Sequence, residues 1–229
     1  MSASGAADQR WCLVSGGTGG IGAAVCERLA QRELKPIVGY RRAQASAREL
    51  AERYDGVALE LDLGRAESIQ AAAKQLDDLP YLAGVVLAGS PAPALVPFGK
   101  LTLAELEEQW QVNVLGPQQL LARLIRGRFR KQKAGFVVGV LSRAMGSQDE
   151  PATPNMGAYV IAKHGLCGVL AAVRADYPWL RVGSVRPGYT ETPMLRAFDE
   201  RFLELERAKA PFQTPGAVAD SILQEAFGA

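Results

Sequence analysis

The stretch Trp11-Cys12-Leu13-Val14-Ser15-Gly16-Gly17-Thr18-Gly19-Gly20-Ile21-Gly22-Ala23-Ala24-Val25 decides the fold. Trp11–Ser15 is apolar and strand-like, glycines follow, and from Gly20 the apolar positions Ile21, Ala24, Val25 and Leu29 recur at helical spacing as far as Arg32. A strand that turns through glycines into a helix offers an anion free backbone N–H groups and the positive end of the helix dipole. The glycines allow a tight turn and close backbone approach. Ser15, Gly16, Thr18, Gly20, Ile21 and Gly22 are therefore the expected cradle of a pyrophosphate. Gly17-x-Gly19-x-x-Gly22 alone is also compatible with ordinary turn chemistry; its position after a first strand gives it force. Gly22 is followed by Ala23 and Ala24 rather than by the Lys-Ser/Thr of a P-loop, which excludes that class of nucleotide site.

The same alternation continues outward. Short apolar runs at Pro36–Tyr40, Val57–Leu61, Leu82–Ala88, Phe136–Leu141 and Arg181–Val185 are separated by helical patterns. These cover Ala45–Tyr54, Ala66–Leu76, Leu103–Asn113 with Pro117–Arg130, and Gly157–Asp176, and a last helix is expected over Gly216–Ala226. Parallel neighbours need crossovers, and continuous apolar strands need cover on both faces, so the expectation is a single-domain, doubly wound parallel α/β sheet, a Rossmann fold. Its ligands bind outside the carboxyl ends of the strands.

The 229 residues carry 26 Lys+Arg against 24 Asp+Glu and are 48% hydrophobic, as in an ordinary globular chain with no polyanionic partner such as nucleic acid. Charged residues interrupt every apolar stretch, so no membrane span is expected. Met1 to Gln9 lacks a secretory pattern and is expected to be flexible. Cys12, Cys26 and Cys167 lack metal-ligand spacing and fit reduced core thiols in the cytoplasm.

The loops after the strands carry the chemistry. The second strand ends in Tyr40-Arg41-Arg42, where dinucleotide folds read the adenosine ribose. Two guanidiniums suit a 2′-phosphate, which favours NADP(H) over NAD(H). Asp62, after the third strand, is expected to cap the next helix or touch the adenine amine. Tyr159 and Lys163, four apart at the start of a helix, share one face, and the ammonium there would stabilise a phenolate and draw the Tyr159 pKa toward neutrality. Such a pair is also common as a packing aromatic beside a snorkelling cation, so the case rests on the combination with Ser142 and the glycine loop.

These residues resemble the short-chain dehydrogenase/reductase superfamily from about Trp11 to Phe227, and within it most closely the 3-oxoacyl-thioester reductases. The family's TGxxxGIG loop is Ser15 to Gly22, its YxxxK pair is Tyr159 and Lys163, its serine is Ser142 and its helix asparagine is Asn113. Its PG motif is Pro187-Gly188, with Thr192 following. The resemblance implies a catalytic tetrad: Ser142 polarises the substrate carbonyl, Tyr159 donates the proton, Lys163 tunes Tyr159 and bonds the nicotinamide ribose, and Asn113 holds a water in a proton relay. It further implies that Leu63, Ala88 and Gly89 border the cofactor and that Pro187, Gly188 and Thr192 line its nicotinamide side.

Three departures stand out. The family's NNAG segment is Val86-Leu87-Ala88-Gly89 here, without the asparagines that brace the sheet. The interval from Ser142 to Tyr159 is longer than usual, which predicts either a higher wall over the substrate or a plain surface loop. The chain ends at Ala229, where the family adds an edge strand; a sheet without that strand and a homodimer through the helices bearing Asn113 and Tyr159 are expected. Residues 189–211 are expected to form a substrate lid with Met194, Leu195, Phe198 and Phe202 on its apolar face. The basic residues Arg126, Arg128, Arg130, Lys131 and Lys133 would dock an acidic acyl carrier protein. The expectation is an NADPH-dependent reductase that converts a carbonyl, on a 3-oxoacyl thioester, to a secondary alcohol. The alternatives are an NAD(P)-dependent alcohol or sugar dehydrogenase and a non-catalytic NADP(H)-binding or scaffold protein.

Overall fold

The computed structural model describes residues 9–228. Apart from Gln9, the expected flexible N-terminal segment lies outside the described residues. Six strands, β1 (Arg10–Ser15), β2 (Lys35–Tyr40), β3 (Val57–Glu60), β4 (Tyr81–Leu87), β5 (Phe136–Val140) and β6 (Arg181–Val185), form one sheet in the order β3-β2-β1-β4-β5-β6. Every pairing is parallel.

Side-chain alternation divides the core between the two faces. Trp11 and Leu13 of β1, with Leu82 and Val85 of β4, point into one apolar cluster. Cys12 and Val14 point into the other with Val86 and Val138. The first face is covered by α3 (Ala66–Leu76), α5 (Gly116–Leu124) and α7 (Gly157–Asp176), through Ile69, Leu120 and Leu166. The second is covered by α1 (Gly20–Ala30), α2 (Gln44–Arg53) and α9 (Pro215–Phe227), through Val25, Ala47 and Ile222. Helix α7 has the length and composition of a membrane span. Its lining of the sheet through Leu166 and Leu170 and its buried Lys163 account for that apolarity in the interior of this fold.

The two helices expected around Asn113 are one continuous helical rod. It runs through α4 (Leu103–Trp110), a π-helical turn at Gln111–Leu115, α5, a second π turn at Ile125–Phe129, and α6 (Arg130–Gln132). A Thr102–Glu105 capping box starts it. Pro117 does not break it, because it falls at the first residues of α5, straight after a π turn whose wider winding removes the usual i→i−4 register. Helix α8 (Glu200–Lys209), capped by Asp199, occupies the expected lid segment.

Candidate active site

The strand order reverses direction between β1 and β4, and the loops leaving these strands meet there. Gly16 takes φ +64°, and a Cβ on it would lie 2.6 Å from Gly89 Cα. The Ser15 hydroxyl accepts from Gly89 N–H at 3.2 Å and ties the two loops together. Ala88-Gly89 thus keeps the close approach without the family's asparagines. A Cβ on Gly20 would lie 2.6 Å from Thr192 Cγ2, so the start of α1 and the loop after β6 also touch. Gly19, the N-cap of α1, makes no side-chain cap, and the first turn holds no acidic residue. Free amides and an uncompensated positive dipole end are what a pyrophosphate needs, so these residues fit a dinucleotide.

Arg41 and Arg42 are exposed immediately after β2 and take part in no ion pair among the described residues. Asp62 does not cap α3, whose N-cap is Arg65. Its Oδ1 instead accepts from Gly64 N–H at 2.9 Å while its own N–H donates to Ser68 Oγ at 2.9 Å. The short turn between β3 and α3 takes the carboxylate first. Leu63 is buried against Gly116 of the long helical rod.

Beside this junction a cleft of about 370 Å³ brings together Ser142, Tyr159, Lys163, Pro187, Gly188, Thr192, Ala88 and Ile21. Ser142 lies just past β5, where its hydroxyl accepts from Ala144 N–H at 3.1 Å and caps a short 3₁₀ turn, Arg143–Met145. Tyr159 and Lys163 lie in the first two turns of α7, 7% and 2% exposed. The Lys163 ammonium donates to Val140 O at 2.9 Å and sits 5.3 Å from the Tyr159 ring centroid.

Burial, more than the pairing, sets their titration. Desolvation brings Lys163 down to about 7. It also raises Tyr159 above its ordinary value, and a hydrogen bond with Ser142 opposes this only in part. The expected depression of the Tyr159 pKa is therefore not found: the apolar pocket disfavours the charged form of both groups, and Lys163 itself loses its charge near neutrality.

Asn113 is not among the cleft-lining residues. It lies fully buried on the π turn, where Nδ2 donates to Gln109 O at 3.1 Å and to Gln109 Oε1 at 3.0 Å. Its Oδ1 has no partner among the described residues. Gln109, 2% exposed, reaches from there to Ala92 O at 2.8 Å, in the loop after β4. Sequence spacing did not mark Gln109; a glutamine four residues before Asn113 in a polar run reads as surface. Two further residues of the site were missed. Gln213 Oε1 accepts from Gly188 N–H at 2.9 Å, and Tyr189 packs against Phe198, Phe202 and Phe212.

The chain matches the family described as short chain dehydrogenase over residues 10–201. It belongs to the short-chain dehydrogenase family. Relatives include the 3-oxoacyl-[acyl-carrier-protein] reductase FabG of Aquifex aeolicus (strain VF5), 28% identical over 92% of this chain and 87% of that protein. The acetoacetyl-CoA reductase of Cupriavidus necator (strain H16) is 26% identical over 91% and 85%. A 3-ketoacyl-(acyl-carrier-protein) reductase from Brucella melitensis, solved with NADH, superposes with a TM-score of 0.84 at 20% identity, over 97% of this chain and 92% of that one. This is an oxidoreductase family whose cofactors are the nicotinamide dinucleotides, and the relatives support carbonyl reduction.

The remaining members of the expected set fall elsewhere. Arg128 donates to the carbonyls of Asp77 and Leu79, and Lys133 sits over the Trp179 ring, 5.5 Å from its centroid. With Arg126, Arg130 and Lys131 they lie just before β5, at the end of the sheet opposite to Ser142. The expected carrier-protein cluster therefore does not border the cleft. His164 Nε2 contacts Met145 O at 3.3 Å. The three cysteines are free thiols, with Cys12 and Cys26 buried.

Proposed function

We propose that this chain is an NADPH-dependent reductase that converts the ketone of a 3-oxoacyl thioester to a secondary alcohol. The observation that carries the reading is the convergence of the Ser142 hydroxyl, the Tyr159 phenol and the Lys163 amine on one cleft beside the uncapped start of α1. The cofactor, when bound, supplies a hydride to the carbonyl carbon. Ser142 holds the carbonyl oxygen by donating its O–H. Tyr159, kept protonated by burial, gives its proton to that oxygen as it becomes an alkoxide, and Lys163 stands behind Tyr159 to stabilise the phenolate left behind. Arg41 and Arg42 supply guanidiniums for a 2′-phosphate.

Residues 189–211 act as the lid. Met194, Leu195 and Phe198 face the cleft, and Phe202 packs the lid helix onto Tyr189 and Phe198. The relatives support the choice of thioester. The test is NADPH oxidation by the purified protein with acetoacetyl-CoA, diketones, quinones and keto sugars. Reduction of the acetoacetyl thioester above the rest supports the reading. Reduction of none of them, with NADPH bound, favours the non-catalytic alternative.

A further inference from the structure

Within the cleft wall, the charges do not balance. Four lining side chains are basic or acidic: Arg143, Lys163, Glu206 and Lys209. Lys163 is buried on Val140 O and half-neutral near pH 7. Lys209 and Glu206 neutralise each other at 2.6 Å. Arg143 is left. It is exposed to the cleft and makes no ion pair among the described residues.

Its backbone is nevertheless firmly held. Arg143 N–H donates to Pro187 O at 2.9 Å, its carbonyl accepts from Gly146 N–H at 2.9 Å, and it forms the first residue of the turn that Ser142 caps. The stem passes over Gly188, with Cδ 3.6 Å from where a Cβ on that glycine would lie. A guanidinium carried on a held backbone and stem next to the proposed carbonyl-polarising serine, over Gly188, and without a carboxylate to neutralise it, is free to receive an oxyanion.

We propose that Arg143 is a specificity-determining residue that binds an oxyanion, carboxylate or phosphate, on the ketone substrate. The inference rests on the proposed ketone reduction alone and departs from its thioester, since it names a free oxo acid as the substrate this wall of the cleft prefers. An arginine side chain reaches roughly 7 Å from its Cα by standard bond lengths, and Ser142 is its immediate neighbour. The oxyanion is therefore close to the reacting carbonyl. That favours the carboxylate of a free oxo acid over the phosphate of a pantetheine thioester, which reaches Arg143 only if the long arm folds back.

The experiment compares three forms of one acyl group, acetoacetate, acetoacetyl-CoA and the neutral ethyl acetoacetate, with the wild type, Arg143→Gln and Arg143→Lys, following NADPH oxidation. A charge-assisted hydrogen bond contributes about 1.5–3 kcal/mol, or roughly 10- to 150-fold. Arg143→Gln is expected to lower the kcat/KM of acetoacetate relative to ethyl acetoacetate by at least about tenfold, mainly through KM, and Arg143→Lys to restore part of it. A loss confined to acetoacetyl-CoA assigns the oxyanion to phosphate. A ratio unchanged within about twofold for both anionic substrates overturns the proposal, as does an equal loss of NADPH affinity.

Binding of 3-hydroxybutyrate to the NADP⁺-loaded protein, measured by calorimetry, separates the two readings. If no ketone is reduced but Arg143→Gln abolishes this binding, the oxyanion site stands and the reductase reading fails. If binding is the same in both proteins, the oxyanion site fails.

Discussion

The two ends of the proposed dinucleotide groove are built on opposite principles. At the adenosine end, the glycine loop, the uncapped start of α1 and the exposed Arg41 and Arg42 offer backbone amides and solvated charge. At the nicotinamide end, Tyr159 and Lys163 are almost completely removed from water, and that removal sets their protonation. On the proposed function, the first end recognises through charge held in water, and the second acts through groups whose charged forms are disfavoured until a reaction requires them.

The sharpest way to break this comparison is Tyr159→Phe. It is expected to lower kcat by about 10³-fold, within the range for loss of a general acid, while NADPH affinity changes less than about threefold. Fluorescence titration alongside turnover measures both, and retained turnover would remove Tyr159 from its role.

Next in size is the stability carried by Lys163. Its pKa is lower in the folded chain, about 7, than the ordinary 10.5, so the unfolded chain binds more protons between those values and stability rises with pH there. The slope is about 1.4 kcal/mol per pH unit for one proton. Cys12 and Cys26, whose thiols burial raises above the ordinary 9.0, work in the opposite direction once the unfolded chain begins to lose those protons. Urea unfolding should therefore show stability climbing from pH 7 to a maximum near the thiol range and falling beyond it. Lys163→Met should remove the climb and raise stability at pH 6 by an amount on the order of 3 kcal/mol. A wild type with flat stability between pH 7 and 8.5 would mean that Lys163 is not held neutral.

Arg41→Asp probes the other end. NADPH should weaken about 10- to 100-fold and NADH by less than about threefold, measured as dissociation constants, because only NADPH brings a second anion to that guanidinium. Equal loss of both would place the 2′-phosphate elsewhere. The smallest effect expected is from Gln109→Leu, which takes one acceptor from Asn113. A destabilisation of about 1–3 kcal/mol by urea unfolding would confirm its hydrogen bonds as structural support for the buried asparagine.

The glycine loop was legible in the sequence because backbone conformation needs glycines at fixed offsets, and those appear as letters. The six strands were legible for a related reason: two-sided burial demands continuous apolar runs, and each was found within a residue or two of its place. The proposed catalytic trio, Ser142, Tyr159 and Lys163, which the structure brings to one cleft, was picked out through spacing and family resemblance. Their titration was not, since it follows from the depth of a pocket that spacing alone does not reveal. Helix α8 was hidden because it buries only Leu203, and the merging of two expected helices was hidden by Gly116-Pro117, a normal stop signal that the π turn accommodates. The basic cluster was visible as charge but not as position, which depends on which end of β5 it precedes.

The strand order also sets a schedule for synthesis. The central seam joins Arg10–Ser15 of β1 to Tyr81–Leu87 of β4, while β2 and β3 are completed earlier on the opposite side. On a ribosome adding roughly 5–20 residues per second, the inner edge of β1 waits about 4 to 15 s before its partner exists. During that interval it is an unpaired strand edge, open to wrong pairing, and long-range parallel pairing is slow to form. The groove opens along this same seam. The nascent chain therefore has no complete place for a dinucleotide until its two halves have met, and a ligand present in the cell would stabilise only chains that have passed that point.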